Sequence, residues 1–462
     1  AAATIVTVST TSCTAVPVIV SKTIPARFRG IVKKQERVST CNPFKVLFSV
    51  FCLFAQFDYA AATDPTQSPT AVPTCNPRNI ETSSWLANST LGFKVAGAVG
   101  GDRMGFAVST AGDVNGDGYA DLLVSSVTAV SYSGSVYLLF GGHRNISQID
   151  SSSLSSADGI KIVGESGSLF GHSVSGVGDM NGDGYDDVII GATDSPAPSR
   201  VLAGMAVILF GKPTGWADID MLTFTSASGL GFRVIGESVG NKLGSSVAGA
   251  GDVNNDGFAD IIIGVIGQDP GGKSNAGCAY IFFGHASAFS DIDFITYSFN
   301  LSTEYYLCGS EAGDRAGYTV TGGFDLNNDG YSDVAISTHL SGLVFITFGK
   351  SARLTNLDLS GLSNTSQSWG FRVSTGASDR MSLSPAGDVN GDGMDDLIIG
   401  AASLAPFNKA SAGIVFILFG KPIGSSFPNI DAITGWITPT HGFRVFGATA
   451  GDLLGSSVGG GV

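Results

Sequence analysis

The chain has 462 residues, 64 of them Gly, which is about twice the usual share, with 29 Phe and only 14% charged residues. This mixture excludes a coiled coil, a helical bundle, a collagen and a disordered acidic tail; it reads as many short strands joined by tight turns. The net charge of −14 is confined to a few loops described below, so no basic stripe is left to meet nucleic acid.

Residues 1–43 are rich in Thr, Ser and Val without periodicity, and are read as an upstream segment, disordered or outside the mature chain. In 44–62, Lys45 precedes an apolar run from Val46 to Ala55, and Ala60, Ala61 and Ala62 follow. A basic flank, a short apolar core and small residues predict a signal peptide. Gln56 and Asp58 end the run well short of the ~20 residues a membrane span needs. Residues 63–88 read as a linker rich in Pro, Thr and Ser. Cys13, Cys41, Cys52 and Cys75 fall in this N-terminal region. Cys278 and Cys308 lie in the body without metal-binding spacing; they are either a disulfide, which an extracellular context favours, or two buried thiols.

From residue 89 to 462 the chain repeats itself. The segment GDVNGDGYAD at 112–121 recurs as GDMNGDGYDD (178–187), GDVNNDGFAD (251–260), FDLNNDGYSD (324–333) and GDVNGDGMDD (387–396). A GF(K/R)V segment and a short Gly-bounded strand come before, at 92–95, 231–234, 370–373 and 442–445 for the first element. An apolar run such as DVIIGA (187–192) and a strand closed by Phe-Gly, such as MAVILFG (205–211), come after. Four short strands per unit of ~60–70 residues, too short for helices, predict an all-β fold, a β-propeller of four-stranded antiparallel blades. The expected blades are about 92–141, 160–211, 230–284, 304–349 and 370–420, with a partial sixth at 442–462.

Each acidic loop reads D-x-N-x-D-G-x-x-D. The candidate ligands are Asp113, Asn115, Asp117, Tyr119 and Asp121; Asp179, Asn181, Asp183, Tyr185 and Asp187; Asp252, Asn254, Asp256, Phe258 and Asp260. The fourth and fifth loops add Asp325, Asn327, Asp329, Tyr331 and Asp333; Asp388, Asn390, Asp392, Met394 and Asp396. Positions 1, 3, 5 and 9 bring side-chain oxygens, position 7 a backbone carbonyl, and Gly at 6 the sharp turn. An all-oxygen set with three carboxylates suits Ca²⁺, about five ions in all, one for each complete blade. An EF-hand is excluded because its closing Glu would fall on Val124, Ile190, Ile263, Ile336 or Ile399, all apolar. The fifteen loop Asp carry the acidity: 39 acidic residues less these leave 24 against 25 basic.

With these loops, Phe170-Gly171 and the Gly-Ala pairs Gly191-Ala192 and Gly400-Ala401, the chain resembles the FG-GAP repeat family, and within it the N-terminal propeller of integrin α subunits. The Phe of Phe-Gly is replaced by Met104, Leu243, Ala316 or Leu454 elsewhere, and Ser382 stands for its Gly. The resemblance implies a seven-bladed parent propeller and an extracellular or cell-surface module for ligand binding or cell adhesion. It also implies a protein or matrix ligand, a partner subunit, and membrane attachment only through a region C-terminal to this sequence. The alternative it implies is the non-catalytic propeller of a secreted hydrolase, such as a phospholipase D acting on lipid anchors.

No catalytic residues are expected in the chain itself. His143, His172, His285, His339 and His441 form no metal-binding pattern, and Gly244-Ser245-Ser246-Val247-Ala248 falls short of a nucleophile elbow. N-glycosylation is expected at Asn88, Asn145, Asn300 and Asn364, all between blades. Successive connections of a meander alternate between two faces. The calcium loops and all four sequons therefore share one face, and connections such as 193–203 and 266–276 are expected on the opposite, ligand-binding face.

Overall fold

The structure is a computed structural model that describes residues 94–142, 148–196, 200–300, 302–351, 357–362, 368–376, 381–431 and 439–460. The signal-like run 44–62, the linker, the four N-terminal cysteines, and Asn88, Asn145 and Asn364 lie outside the described residues.

Apolar runs of five or six residues, rich in Ile and Val and bounded by Gly, fold here as strands. The first sheet holds Met104–Gly112, Asp121–Ser126, Ser135–Leu139 and Gly159–Val163 from the innermost strand outward. The second holds Phe170–Gly178, Asp187–Ala192, Met205–Leu209 and Gly231–Ile235. The third holds Leu243–Gly251, Asp260–Val265, Cys278–Phe282 and Glu304–Cys308. The fourth and fifth hold Val320–Phe324, Asp333–Ser337, Leu343–Thr347 and Gly370–Ser374, then Met381–Gly387, Asp396–Ala401, Ile414–Leu418 and Gly442–Phe446. All neighbours among these are antiparallel. Among the described residues the helical content is one turn at Ala129–Tyr132 and a few 3₁₀ turns, and no helix is long and apolar enough to cross a membrane.

The second, third and fourth sheets pack on both faces, because their apolar side chains interlock with those of the sheets on either side. Among the described residues, the first and fifth pack on one neighbouring sheet each and leave Phe106, Phe443 and Phe446 exposed. Leu123, Val136 and Leu138 of the first sheet share a core with Val188, Ile190 and Val207 of the second. Ile189, Ile208 and Phe232 pack with Ile261, Ile263 and Tyr280 in the same manner. Similar cores join the third sheet to the fourth and the fourth to the fifth. Second strands buried along their whole length, as in Asp187–Ala192, follow from this stacking. The sheets are the blades of a β-propeller.

The grouping of strands differs from the sequence-based unit in one respect. The GF(K/R)V strand does not open its own blade; it closes the one before. Gly231–Ile235 pairs with Met205–Leu209, and Gly442–Phe446 with Ile414–Leu418. The third strand of each sheet has a free edge, and the chain returning after a long connection satisfies it. Periodicity does not reveal which flanking strand is the partner. The segment expected as a partial sixth blade thus divides. Its first strand completes the fifth sheet, while Gly455 and Gly460 lie beside the innermost strand of that sheet, bonded to Ser382 Oγ (2.8 Å) and Ser384 Oγ (3.1 Å).

A further motif clasps successive blades together. The connection between the third and outermost strands of one blade lays two residues parallel along the outer edge of the previous blade. Ile219–Asp220 pairs with Ile162 and Val163, Ile292–Asp293 with Val234 and Ile235, Leu357–Asp358 with Leu307 and Cys308, and Ile430–Asp431 with Val373 and Ser374. Gln148–Asp150 makes the same pairing with Lys94–Ala96, so the latter is an outer strand rather than the start of the first blade. Cys278 and Cys308 oppose each other directly in the third sheet and form a disulfide, with Cα atoms 4.1 Å apart.

Candidate metal centre

Each acidic loop joins the innermost strand of a blade to its second strand, and its last Asp is the first residue of that second strand. Two left-handed residues make the turn. Position 6 is Gly118, Gly184, Gly257, Gly330 or Gly393, with φ between 85° and 92°. Position 4 also needs positive φ, and there Gly116, Gly182 and Gly391 alternate with Asn255 (57°) and Asn328 (53°). Asn is the residue that replaces Gly most cheaply in this region. The requirement at position 4 explains why the repeats read either NGDG or NNDG; the sequence pattern alone treats that position as free.

The fourth loop opens with Phe324 where the other four have Gly. In those four the Gly paired with the closing Asp carries the positive φ, as Gly112 does at 75°. In the fourth loop Gly323 takes the positive φ one residue earlier, and Phe324 is buried in the core.

The side chains fall into two sets. Positions 1, 3 and 5 are bound into a ladder of turns. In the second loop Asp179 Oδ1 accepts the N–H of Asp183 (3.1 Å) and Oδ2 that of Gly184 (2.8 Å). Asn181 Oδ1 accepts the same Asp183 N–H (2.8 Å), and Asp183 Oδ1 accepts the N–H of Tyr185 (3.0 Å). The third and fourth loops repeat these contacts. Position 9 is different: Asp121, Asp187, Asp260, Asp333 and Asp396 are all buried. One oxygen of Asp187 accepts the N–H of Met180 (2.9 Å) and the other that of Gly211 (2.9 Å), the Gly of the Phe-Gly pair. The other four loops hold position 9 in the same way. This gives the Phe-Gly closure a second purpose, since its N–H anchors the loop carboxylate.

Burial raises the pKa of every position 9 carboxyl, to about 6 for Asp121, about 7 for Asp187 and about 8 for Asp260; the neighbouring loop carboxylates add to the rise and the two N–H donors oppose it. Asp333 and Asp396 are raised for the same reasons. A buried carboxylate beside two more carboxylates is costly to ionise without a cation.

The structure thus gathers the five sequence-predicted ligands of each loop into one turn. Among the described residues, however, no three His, Cys, Asp or Glu side chains converge as a preformed metal centre. The donor set is all oxygen, with three carboxylates and an amide within nine residues, and it fits a hard divalent cation. Asp at 1, 5 and 9, Asn at 3 and the carbonyl at 7 are the atoms that would hold it.

The two faces of the disc separate as the parity of the connections requires. The second-to-third connections bond to the blade-to-blade turns: Thr128 N–H to Asp102 O, Gly240 N–H to Val201 O, His339 N–H to Asp314 O, and Leu453 N–H to Ser411 O. The third-to-outermost connections bond to the acidic loops on the other face, as Lys212 N–H does to Val114 O (2.9 Å). Asn300 belongs to the loop face and is exposed.

The FG-GAP repeat profile matches residues 104–139, 170–209, 243–282 and 381–418. The fourth sheet, with its Phe324 loop, lies outside these matches. Among characterised proteins the chain is similar to Integrin alpha-IIb of Mus musculus, at 28% identity over 175 residues, 37% of this chain and 15% of that protein. It is similar to Integrin alpha-PS2 of Drosophila melanogaster, at 28% over 204 residues (43% and 13%). With Integrin alpha-6 of Gallus gallus it shares 24% over 315 residues (67% and 23%). The chain therefore spans less than a quarter of the length of each of these relatives.

Proposed function

We propose, from the premise that this chain is an FG-GAP repeat protein similar to the integrin α subunits, that it acts as an extracellular binding or adhesion module stabilised by calcium, and not as an enzyme. In this reading the five loops each take one Ca²⁺ on the 25 residues named above. The protein or matrix ligand, and any partner subunit, meet the opposite face. Secretion through the 44–62 signal, and glycans on the loop face, belong to the same reading.

One residue carries the assignment of the ligand face. Phe407, in the second-to-third connection of the fifth blade, is 72% exposed and has φ 53°. The corresponding connection of the third blade places Gly271 there, at φ 59°. A left-handed bulky residue costs about 1–2 kcal/mol, and burial offsets little of it, because the Phe446 ring that Phe407 meets at 5.0 Å is itself exposed. The six-residue strand Asp396–Ala401 separates this connection from the acidic loop, a span of roughly 20 Å. Exposed Tyr132, Val201, Val239 and Leu340 lie on connections of the same face, while exposed Leu222, Ile295 and Ile423 lie on the loop face, so the backbone cost at Phe407 and not exposure alone distinguishes the two. A bulky apolar side chain exposed at a backbone cost supports the reading of this face as the binding face.

The test is Phe407→Gly. Attachment of cells or matrix should fall about tenfold, as for a hot-spot aromatic, while the melting temperature in calcium stays level or rises because the strain is gone. Unchanged attachment would overturn the assignment of this face.

A further inference from the structure

We infer that the acidic loops do not act independently: position 8 of each loop after the first couples it to the loop of the preceding blade, strongly where position 8 is Asp186, Ser332 or Asp395, and weakly where it is Ala259. The inference rests on the calcium reading above and adds a regulation of the same sites.

Position 8 stands between the proposed ligands at 7 and 9, yet its own contacts run to the neighbouring blade. The carboxylate of Asp186 accepts the N–H of Asp113 at 2.7 Å, and the N–H of Asp186 donates to the carbonyl of Asp113 at 3.3 Å. Asp113 is position 1 of the first loop, so Asp186 of the second loop grips the backbone from which a ligand of the first projects. A Cβ placed on Gly112 would lie 2.2 Å from this carboxylate, so the grip also closes over the bulge that starts the first loop. Ser332 repeats the arrangement, its Oγ accepting from Asp252 at 3.2 Å and its N–H donating to Asp252 O at 3.0 Å. Asp395 Oδ2 accepts from Asp325 at 2.9 Å. Between the second and third loops, Ala259 supplies only its backbone N–H, to Asp179 O at 3.0 Å.

A second bridge is shared by every boundary. Met180 N–H and Gly211 N–H both end on Asp187, and the next residue, Lys212, donates to Val114 O, whose own N–H ends on Asp121. His285, Lys350 and Lys421 make the same link to Met180, Val253 and Leu326. The buried carboxylates thus form one relay through backbone peptides, on which the position 8 side chains are an added grip at some boundaries only.

Fixing positions 7 and 9 of the second loop fixes Asp186 from both sides, and the ordering of Asp113 is then already done. A second event that needs the same ordering costs less, which is positive coupling, and by linkage it is reciprocal. Asp186 is a positioning residue here, since it supplies none of the five ligands. Coupling of about fivefold in calcium affinity between the first and second loops is expected.

The experiment uses the secreted full chain and calcium itself. Position 5 is neutralised as D117N, D183N and D256N, singly and in pairs, and the calcium-induced rise in Tm and the calorimetric calcium isotherm are read. The losses of D117N and D183N should fall short of additivity, whereas those of D183N and D256N should nearly add. D186A should make the first pair additive and lower the Hill slope of the full chain; D186N, which keeps the acceptor oxygen, should restore both. A259S should create coupling between the second and third loops. If Asp186 were only structural, D186A would lower Tm equally in calcium and in chelator and leave additivity and the Hill slope unchanged; that result overturns the inference, as do equal couplings at the two boundaries. Should the paired variants fail to fold, the Hill slopes of D186A and D186N decide. Calcium that binds to all loops independently defeats the coupling alone, while the absence of any calcium-induced change defeats the calcium reading itself.

Discussion

Arg233 and Asp291 face each other across the boundary between the second and third blades, Nη2 lying 2.5 Å from Oδ2. The backbone N–H of Arg233 donates to the other oxygen of the same carboxylate at 2.9 Å. Asp291 precedes the two-residue strand Ile292–Asp293, and Asp293, two residues on, is held bidentately by Arg200 at 2.6 and 2.8 Å. Asp218 and Asn429 accept the N–H of Lys161 and Arg372 at equivalent places. A short Asp-Ile-Asp strand is therefore a clasp between blades, made by one connection and received by the previous outer edge.

Asp291→Ala removes both the ion pair and the acceptor for a partly buried N–H. It is expected to destabilise the chain by about 2 kcal/mol. Asp291→Asn keeps the acceptor, as Asn429 does naturally, and should cost about half as much. Thermal melts of the two variants check the order; equal losses would mean that the charge does nothing beyond the hydrogen bond.

The calcium reading predicts a conditional effect. Asp183→Ala or Asp256→Ala should lower Tm clearly in calcium and hardly at all in chelator, because the ligands converge only in the folded turns. The parent protein should also melt lower in chelator than in calcium. Melts that coincide with and without chelator would remove the calcium sites from the account.

The raised carboxyls at position 9 set a pH dependence whose sign follows from linkage. Asp187 and Asp260, at about 7 and about 8 in the folded chain, bind their protons more tightly folded than unfolded. In chelator their contribution is therefore fully present below the ordinary carboxyl range and is lost as pH rises toward 8. Chelated protein should melt lower at pH 8 than at pH 5, and the rise in Tm on adding calcium should grow over the same window. A chelated Tm that rises steadily to pH 8 would contradict the burial of these groups.

Asn300 is the sequon whose surroundings are described. It is exposed, and its Oδ1 accepts the Ser302 hydroxyl at 2.8 Å while its backbone N–H donates to the buried carboxylate of Glu304. Expression through a secretory route should give a product that shifts on glycosidase treatment, with part of the shift lost in Asn300→Gln and in Ser302→Ala. A glycan engineered into 266–276 should block attachment, and one engineered into 212–228 on the loop face should not. Blocking by the loop-face glycan alone would reverse the faces.

The repeat, the strands and the acidic loops are legible in the sequence because each is local. An Ile-rich run between glycines carries its own strand preference, and D-x-N-x-D-G-x-x-D encodes a turn whose hydrogen bonds stay within nine residues. Burial of the loop's last Asp follows from the same locality, since the apolar run starts there. What lay beyond reach depends on partners far along the chain. The strand Gly231–Ile235 has the same sequence whether it opens one blade or closes another, and only the free edge of Met205–Leu209 decides. The Cys278–Cys308 bond needed the register of two strands, and the clasp at Asp291 needed the outer edge it meets. Asp186 shows the division most plainly. As a letter it is a variable position in a loop, and only the packing of one blade on the next brings its carboxylate within 2.7 Å of Asp113, across 73 residues of chain. Local preference wrote the pieces, and burial between neighbouring sheets decided which edges and which loops they meet.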